Sequence, residues 1–229
     1  MKPVLTHPWN LSQEEALALQ QNLASKVIME DECKDIRLVA GVDVAYDEKS
    51  DTLFAAVVVM DFHTLHVIET VIAQDEVHFP YIPGLFSFRE LPSITKALGQ
   101  LNTTPDVIVC DAQGFAHPRR FGLACHLGVL FCIPTVGCGK TRLIGAAAEP
   151  GIKRGDYTHL IDHDEVIGYV LRTQDHIKPI YISIGSRISL PTARELILKL
   201  CPDYRLPQTT RLADQAVRKA LAEFHFRSL

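Results

Sequence analysis

The chain has 229 residues, 47% of them hydrophobic and 22% charged, with a formal net charge of −4 at pH 7. That length accommodates one core-forming domain over residues 1–229, and the composition excludes general disorder. No apolar run approaches the roughly 20 residues that cross a bilayer. The opening stretch from Met1 to Trp9 lacks an apolar signal core, so a cytoplasmic protein without a membrane partner is expected.

A helix is expected first, over about residues 11–29, with Ser12 as its cap and Glu15 as the capping-box partner. Strands follow over residues 38–45, 53–60 and 65–73, and the short links between them predict an antiparallel meander. Residues 85–98 read as a helix entered from the Pro83-Gly84 turn, which Pro92 should kink or interrupt. The pattern then alternates: a strand over 106–110, a helix over 121–130 and a strand over 131–136. Residues 145–158, rich in Ala, Gly and charge, read as a surface excursion. A late hairpin over 166–171 and 179–184 precedes helices over 192–200 and 212–224. A meander followed by alternation predicts an α/β fold, a mixed central sheet with flanking helices. With acids on the first and fourth strands, that order matches the ribonuclease H-like fold.

Those acids suggest chemistry. Asp43 lies in the apolar run Val39-Ala40-Gly41-Val42-Asp43-Val44-Ala45, and Asp111 ends the strand Val107-Ile108-Val109-Cys110. Buried carboxylates are costly unless protonated, paired or bound to a cation. Two aspartates at strand ends suit a hard divalent ion such as magnesium, and Glu90 is placed to add a third ligand. Taken alone, Asp43 would read as a turn cap or an Arg partner, and Glu90 as a surface acid. Likewise Lys140, after a Gly-rich turn, would read as a solvated lysine, and His117 as a structural histidine. Tyr81, held between Pro80 and Pro83, reads as a surface-turn residue rather than a core one. The net charge argues against a protein that coats nucleic acid indiscriminately, yet cations cluster at Arg119-Arg120, Lys140-Thr141-Arg142, Lys153-Arg154 and Arg205 with Arg211. The cysteines (Cys33, Cys110, Cys125, Cys132, Cys138, Cys201) form no C-x-x-C pair and read as reduced core thiols.

Four segments carry a more specific signal: Gly41-Val42-Asp43-Val44, Pro80-Tyr81-Ile82-Pro83-Gly84-Leu85-Phe86-Ser87-Phe88-Arg89-Glu90, Asp111-Ala112-Gln113-Gly114-Phe115-Ala116-His117-Pro118-Arg119, and Ile133-Pro134-Thr135-Val136-Gly137-Cys138-Gly139-Lys140. Their content, order and spacing resemble the endonuclease V family, the deoxyinosine 3′-endonucleases, over about residues 11–215. The resemblance implies a magnesium-dependent nuclease, with manganese as a substitute, that cuts the second phosphodiester bond 3′ to deoxyinosine in DNA repair. Asp43, Asp111 and Glu90 would hold the metal, and Lys140 would meet the scissile phosphate. His117 would contact a phosphate or shuttle a proton. Tyr81 would be the wedge that fills the gap left by the extruded base. Gly84, Gly122, Gly128 and Gly137 would line the pocket for the flipped hypoxanthine. A monomer acting on inosine-containing DNA, ahead of RNA, is expected. Two positions depart from the family pattern. Ala112 replaces a Gly beside the metal loop, and Asp214, where some relatives have His, is an outer metal contact or a helix-start acid. The alternatives are an inosine-specific endoribonuclease and a non-catalytic nucleic-acid-binding module. Retention of all three acids and Lys140 argues against the second.

Overall fold

The computed structural model describes residues 1–32 and 35–227, with the side chain of Arg227 left out, so the expectation for Cys33 lies outside the described residues. Helix α1 (Gln13–Ala24) begins as the sequence predicts. Ser12 Oγ accepts from the Glu15 N–H, and the Glu15 carboxylate accepts from the Ser12 N–H. It ends well short of residue 29. Instead of extending the helical stripe, Ile28 docks on a distant strand end, its N–H donating to Ser186 Oγ at 3.1 Å and its carbonyl accepting from the Arg187 N–H at 2.6 Å.

Strands β1 (Leu38–Tyr46), β2 (Thr52–Asp61) and β3 (Val67–Glu76) form the expected antiparallel meander. The last starts later than predicted because Asp61 Oδ1 accepts from the His63 and Thr64 N–H groups, and Leu65 takes a φ of 58° in the turn; it ends later because it pairs with β2 as far as Glu76, opposite Thr52. Helix α2 (Phe86–Gly99) runs continuously through Pro92, so the expected interruption does not occur. An interior proline costs about 3 kcal/mol, whereas burying Leu91, Ile94 and Leu98 in the core returns roughly 1.5–3 kcal/mol for each side chain.

Strand β4 (Val107–Cys110) is shorter than expected, because Asp106 serves as a cap. Its carboxylate accepts from the Arg37 and Leu38 N–H groups at 2.9 Å each, tying the start of β4 to the start of β1. Helix α3 (Leu123–Phe131) includes Phe131 and closes at Cys132, whose φ is 50°. Strand β5 (Thr135–Gly139) therefore begins after Pro134, which has no N–H to give a ladder. The predicted excursion ends in an unforeseen strand, β6 (Tyr157–Asp162), where Leu160 alone is buried and the apolar signal is correspondingly weak. It turns into β7 (Glu165–Leu171) through His163 and Asp164, both at positive φ, as a tight hairpin requires. Strand β8 (Ile180–Ser186) and helices α4 (Leu190–Leu200) and α5 (Gln208–Arg227) complete the chain.

The strand order is β3-β2-β1-β4-β5-β8-β7-β6, with β1, β4 and β5 mutually parallel and the other pairs antiparallel. This is the mixed α/β, ribonuclease H-like architecture that the order of elements predicts. Helices α2 and α3 cover the face carrying Ala40, Val42, Val57 and Ile108. On the other face α4 packs on Val107, Val109 and Ile182, and α5 on Phe54, Ala56, Val58 and Met60. Among the described residues no helix is long and apolar enough to cross a membrane. Cys110, Cys125, Cys138 and Cys201 are free and buried, as expected, whereas Cys132 is free but exposed.

Gly41 sets how closely α5 approaches β1, since a Cβ there would fall on the backbone of Thr209 and Thr210. Gly41→Ala is expected to destabilise the fold by about 1–3 kcal/mol, the usual cost of overpacking. A lowered urea midpoint with an unchanged slope checks this.

Candidate functional site

The parallel register that pairs Val42 with Cys110 brings the next residues, Asp43 and Asp111, to the same edge of the sheet. Ligand crevices of α/β sheets open at such carboxyl ends. Asp43 Oδ1 accepts from the Val44 N–H at 2.9 Å. Burial, reinforced by the charge of Asp111, pushes its carboxyl up to about 7. Glu90 comes from α2 and is only 8% exposed. Burial lifts it to about 8, the Tyr46 hydroxyl bond at 2.9 Å opposes that rise, and the charges of Asp43 and Asp111 add to it. From α5, Asp214 adds to the negative field at Asp43 while its carboxylate accepts from Arg218 Nε at 2.9 Å.

One cation enters this cluster directly: the Lys140 ammonium pairs with Asp111. Burial works against its charge, but Asp111, Asp43 and Asp214 outweigh burial and hold it protonated. Among the described residues no three His, Cys, Asp or Glu side chains stand close enough to enclose an ion as they are. Lys140 engages Asp111 and Tyr46 engages Glu90. The chemistry of the set nevertheless fits a hard divalent cation. Its donors are carboxylate oxygens, and Asp43 and Glu90 are raised first by burial and then by the charges of their acidic neighbours.

Beside the acids lies a cleft of about 450 Å³, with Asp111 and Lys140 in the wall that it shares with them. That volume is within the range of small-ligand sites. Gly84, Ala112 and Gly122 line it, as do Tyr81, Ile82 and Pro83. Gly84 needs its residue type, because its φ is 81° and a Cβ would press on the Arg119 guanidinium. The Gly84 carbonyl accepts from Gln20 Nε2 at 2.9 Å and from Arg119 Nη2 at 2.7 Å. At the rim, Tyr81 is 69% exposed and meets the Phe86 ring edge-on.

Gly128 and Gly137 do not line the cleft. A side chain at Gly128 would collide with Thr135 and Ser186, and one at Gly137 with the backbone from Ala112 to Gly114. Close packing of α3 and of the loop after β4 explains these glycines. His117 lies in the wall but is 4% exposed, and its Nδ1 accepts from the Arg119 N–H at 3.2 Å. Burial, followed by the nearby Arg119 charge, lowers it to about 4. His117 is thus neutral near neutrality and fixes its own turn, which does not favour the expected proton shuttle.

Sequence reasoning missed three polar residues that shape the site. Gln20, buried on α1, donates to both the Gly84 and the Phe121 carbonyls. Gln113 Nε2 donates to the Thr141 carbonyl at 3.0 Å, bridging the loop after Asp111 to the segment after Lys140. Arg205 donates to the carbonyls of Lys140, Lys178 and Pro179. A glutamine on a helix reads as a solvated position, and Arg205 registered only as part of a basic cluster.

A family model described as Endonuclease V matches residues 21–215. An endonuclease V from Nocardia farcinica is 52% identical over 209 residues, covering 91% of this chain and 92% of that protein. Among solved structures, the endonuclease V of Streptomyces avermitilis superposes with a TM-score of 0.92 at 44% identity, covering 96% of this chain and 98% of that one. The Ciona intestinalis endonuclease V, solved with a 24mer DNA containing an inosine followed by a ribo-adenosine, gives a TM-score of 0.83 at 27% identity, covering 92% and 98%.

The raised acids make stability depend on pH. In the fold Asp43 and Glu90 keep their protons up to about 7 and about 8, whereas the unfolded chain releases them near 3.8 and 4.5. The folded state binds more protons in that window, so this contribution is fully present below about pH 4 and is lost as pH rises through about 8. In chelator, the Tm is expected to fall between about pH 5 and about pH 8, and less steeply in Asp43→Asn. Calorimetry across that range, repeated with added magnesium to restore the loss, checks it.

Proposed function

The chain belongs to the endonuclease V family, and from that premise we propose that it is a magnesium-dependent DNA repair endonuclease, cytoplasmic and monomeric, that recognises deoxyinosine and cleaves the second phosphodiester bond 3′ to it. The observation that carries this reading is the shared wall. A cleft rimmed by an exposed aromatic ring opens onto the acid cluster through Asp111 and Lys140. A base held in the cleft leaves its own strand running past the acids.

In this mechanism Asp43, Asp111 and Glu90 would hold the divalent ion. When bound, the ion supplies positive charge to the phosphoryl oxygens and promotes a nucleophilic water. Lys140 exchanges its Asp111 partner for the scissile phosphate, which it meets as a point charge. Tyr81 enters the stack where the lesion base has left. Its flanking prolines keep the ring poised, so little entropy is lost on insertion. Gly84 and Gly122 let the backbone approach the extruded base. The inosine-containing DNA bound by the Ciona relative supports the substrate class. Because that ligand carries a ribonucleotide after its inosine, inosine in RNA is the second reading.

Matched DNA and RNA oligonucleotides, each with one inosine, decide between the two. Rapid nicking of DNA in magnesium, slower nicking of RNA and none in chelator is the expected result. Faster RNA cleavage favours the second reading. Asp43→Ala and Asp111→Ala are each expected to abolish cleavage without lowering the metal-free Tm, because either change relieves like-charge repulsion. Near wild-type turnover by either variant would sink the assignment. Tyr81→Ala is expected to weaken binding to inosine in duplex DNA by roughly 1–3 kcal/mol, the worth of one base–aromatic stack, and to affect single strands less. Equal losses on both substrates would make Tyr81 structural.

A further inference from the structure

Three side chains form a hydrogen-bonded chain from the outer part of the molecule into the wall of the cleft. Ser87, in the first turn of α2, lines the cleft and is 2% exposed. Its Oγ lies 3.0 Å from Nδ1 of His126, a residue of α3 with no exposed surface. His126 Nε2 lies 2.8 Å from Nε2 of His7, and His7 Nδ1 lies 2.7 Å from the Pro8 carbonyl oxygen. Trp9, Phe88 and Phe121 pack their rings around the two imidazoles. Burial lowers both histidines, and the charge of one further opposes charging the other. Both rings are therefore neutral near neutrality.

The Pro8 carbonyl gives this chain a direction. A carbonyl oxygen only accepts, so His7 Nδ1 carries a hydrogen, and in a neutral imidazole the Nε2 then keeps its lone pair. His126 must donate to that lone pair through Nε2–H, which leaves its own Nδ1 as an acceptor. Ser87 then supplies the last hydrogen, its hydroxyl donating to His126 Nδ1. Every donor points away from the cleft, and the Ser87 oxygen keeps only lone pairs to offer.

We propose that Ser87 is a specificity-determining residue of the base pocket, a hydroxyl locked as an acceptor that reads a ring N–H on the extruded base. The inference rests on the function proposed above and adds to it the group that selects the base. Hypoxanthine in its lactam form has a hydrogen at N1, which satisfies such an acceptor. Adenine has a lone pair at N1, so two acceptors would face each other in a buried site, each unpaired. Leaving buried polar groups unpaired is how sites reject near-isosteres most strongly. A serine able to rotate its hydrogen would accept both bases. The histidine chain removes that freedom.

The test compares single-turnover cleavage of single-stranded DNA containing either inosine or nebularine, a purine that lacks both the 6-oxo group and the N1 hydrogen. Ser87→Ala is expected to slow inosine cleavage by about tenfold or more, as loss of a buried hydrogen bond requires, and to leave nebularine cleavage no slower, because the acceptor that faces its N1 lone pair is gone. The inosine-to-nebularine ratio then falls by at least that factor. Nitrogen-15 NMR of the wild-type imidazoles reads the chain without any substrate, and His126 is expected as the Nε2–H tautomer. An unchanged ratio in Ser87→Ala, or a His126 protonated at Nδ1, overturns the inference. Failure of the wild-type protein to cut inosine DNA at all overturns the proposed function instead.

Discussion

Parallel pairing of β1 with β4 places two aspartates side by side at one sheet edge, and the rest of the site is organised around their repulsion. Without a cation, the chain relieves it in two ways: Asp43 takes up a proton easily, and Lys140 leans on Asp111. Neither arrangement is comfortable in a low-dielectric setting, where an unpaired carboxylate is costly. The sheet supports it because β2 is buried along nearly its whole length and β4 and β5 along all of theirs. Helices cover both faces. Stability made in the core is held against strain at the edge.

Around the acids the backbone is fixed while the reactive tip stays free. Gln113 grips the Thr141 carbonyl and Arg205 grips the Lys140 carbonyl, so the backbone that follows the Lys140 side chain is tied to two neighbouring segments. The Lys140 side chain itself is 44% exposed. The proposed exchange of Asp111 for a phosphate would use this combination. A pinned base limits where the ammonium can reach, and an exposed end lets it change partner without rearranging the loop.

Much of this was readable in the residues. The capping box at Ser12, the meander and the acids within β1 and just after β4 follow from short-range patterns, because each depends on a few neighbouring positions. What escaped depends on distant packing. Leu160 alone anchors β6 in the core, so its alternation was too faint to separate it from a loop. Pro92 sits inside a helix because three apolar partners outweigh its local cost. Gly128 and Gly137 read as pocket glycines in the sequence because motif position cannot show whether a missing side chain makes room for a ligand or for a neighbouring chain segment. Gln20, Gln113 and Arg205 act through carbonyls 26 to 101 residues away, a pairing that no local pattern encodes.

The turn bearing Tyr81 illustrates a different kind of dependence. The Gly84 carbonyl is held from two directions, by Gln20 of α1 and by Arg119 of the loop beyond β4, and those two side chains also bond to each other. A Pro-Tyr-Ile-Pro-Gly segment moved to another protein would carry the ring but not its mounting. The mounting of this ring is thus a joint product of three separated stretches of chain, and the turn is not a portable module. A change at Gln20 in α1 removes one of the two holds on the Gly84 carbonyl and alters where the ring stands over the cleft.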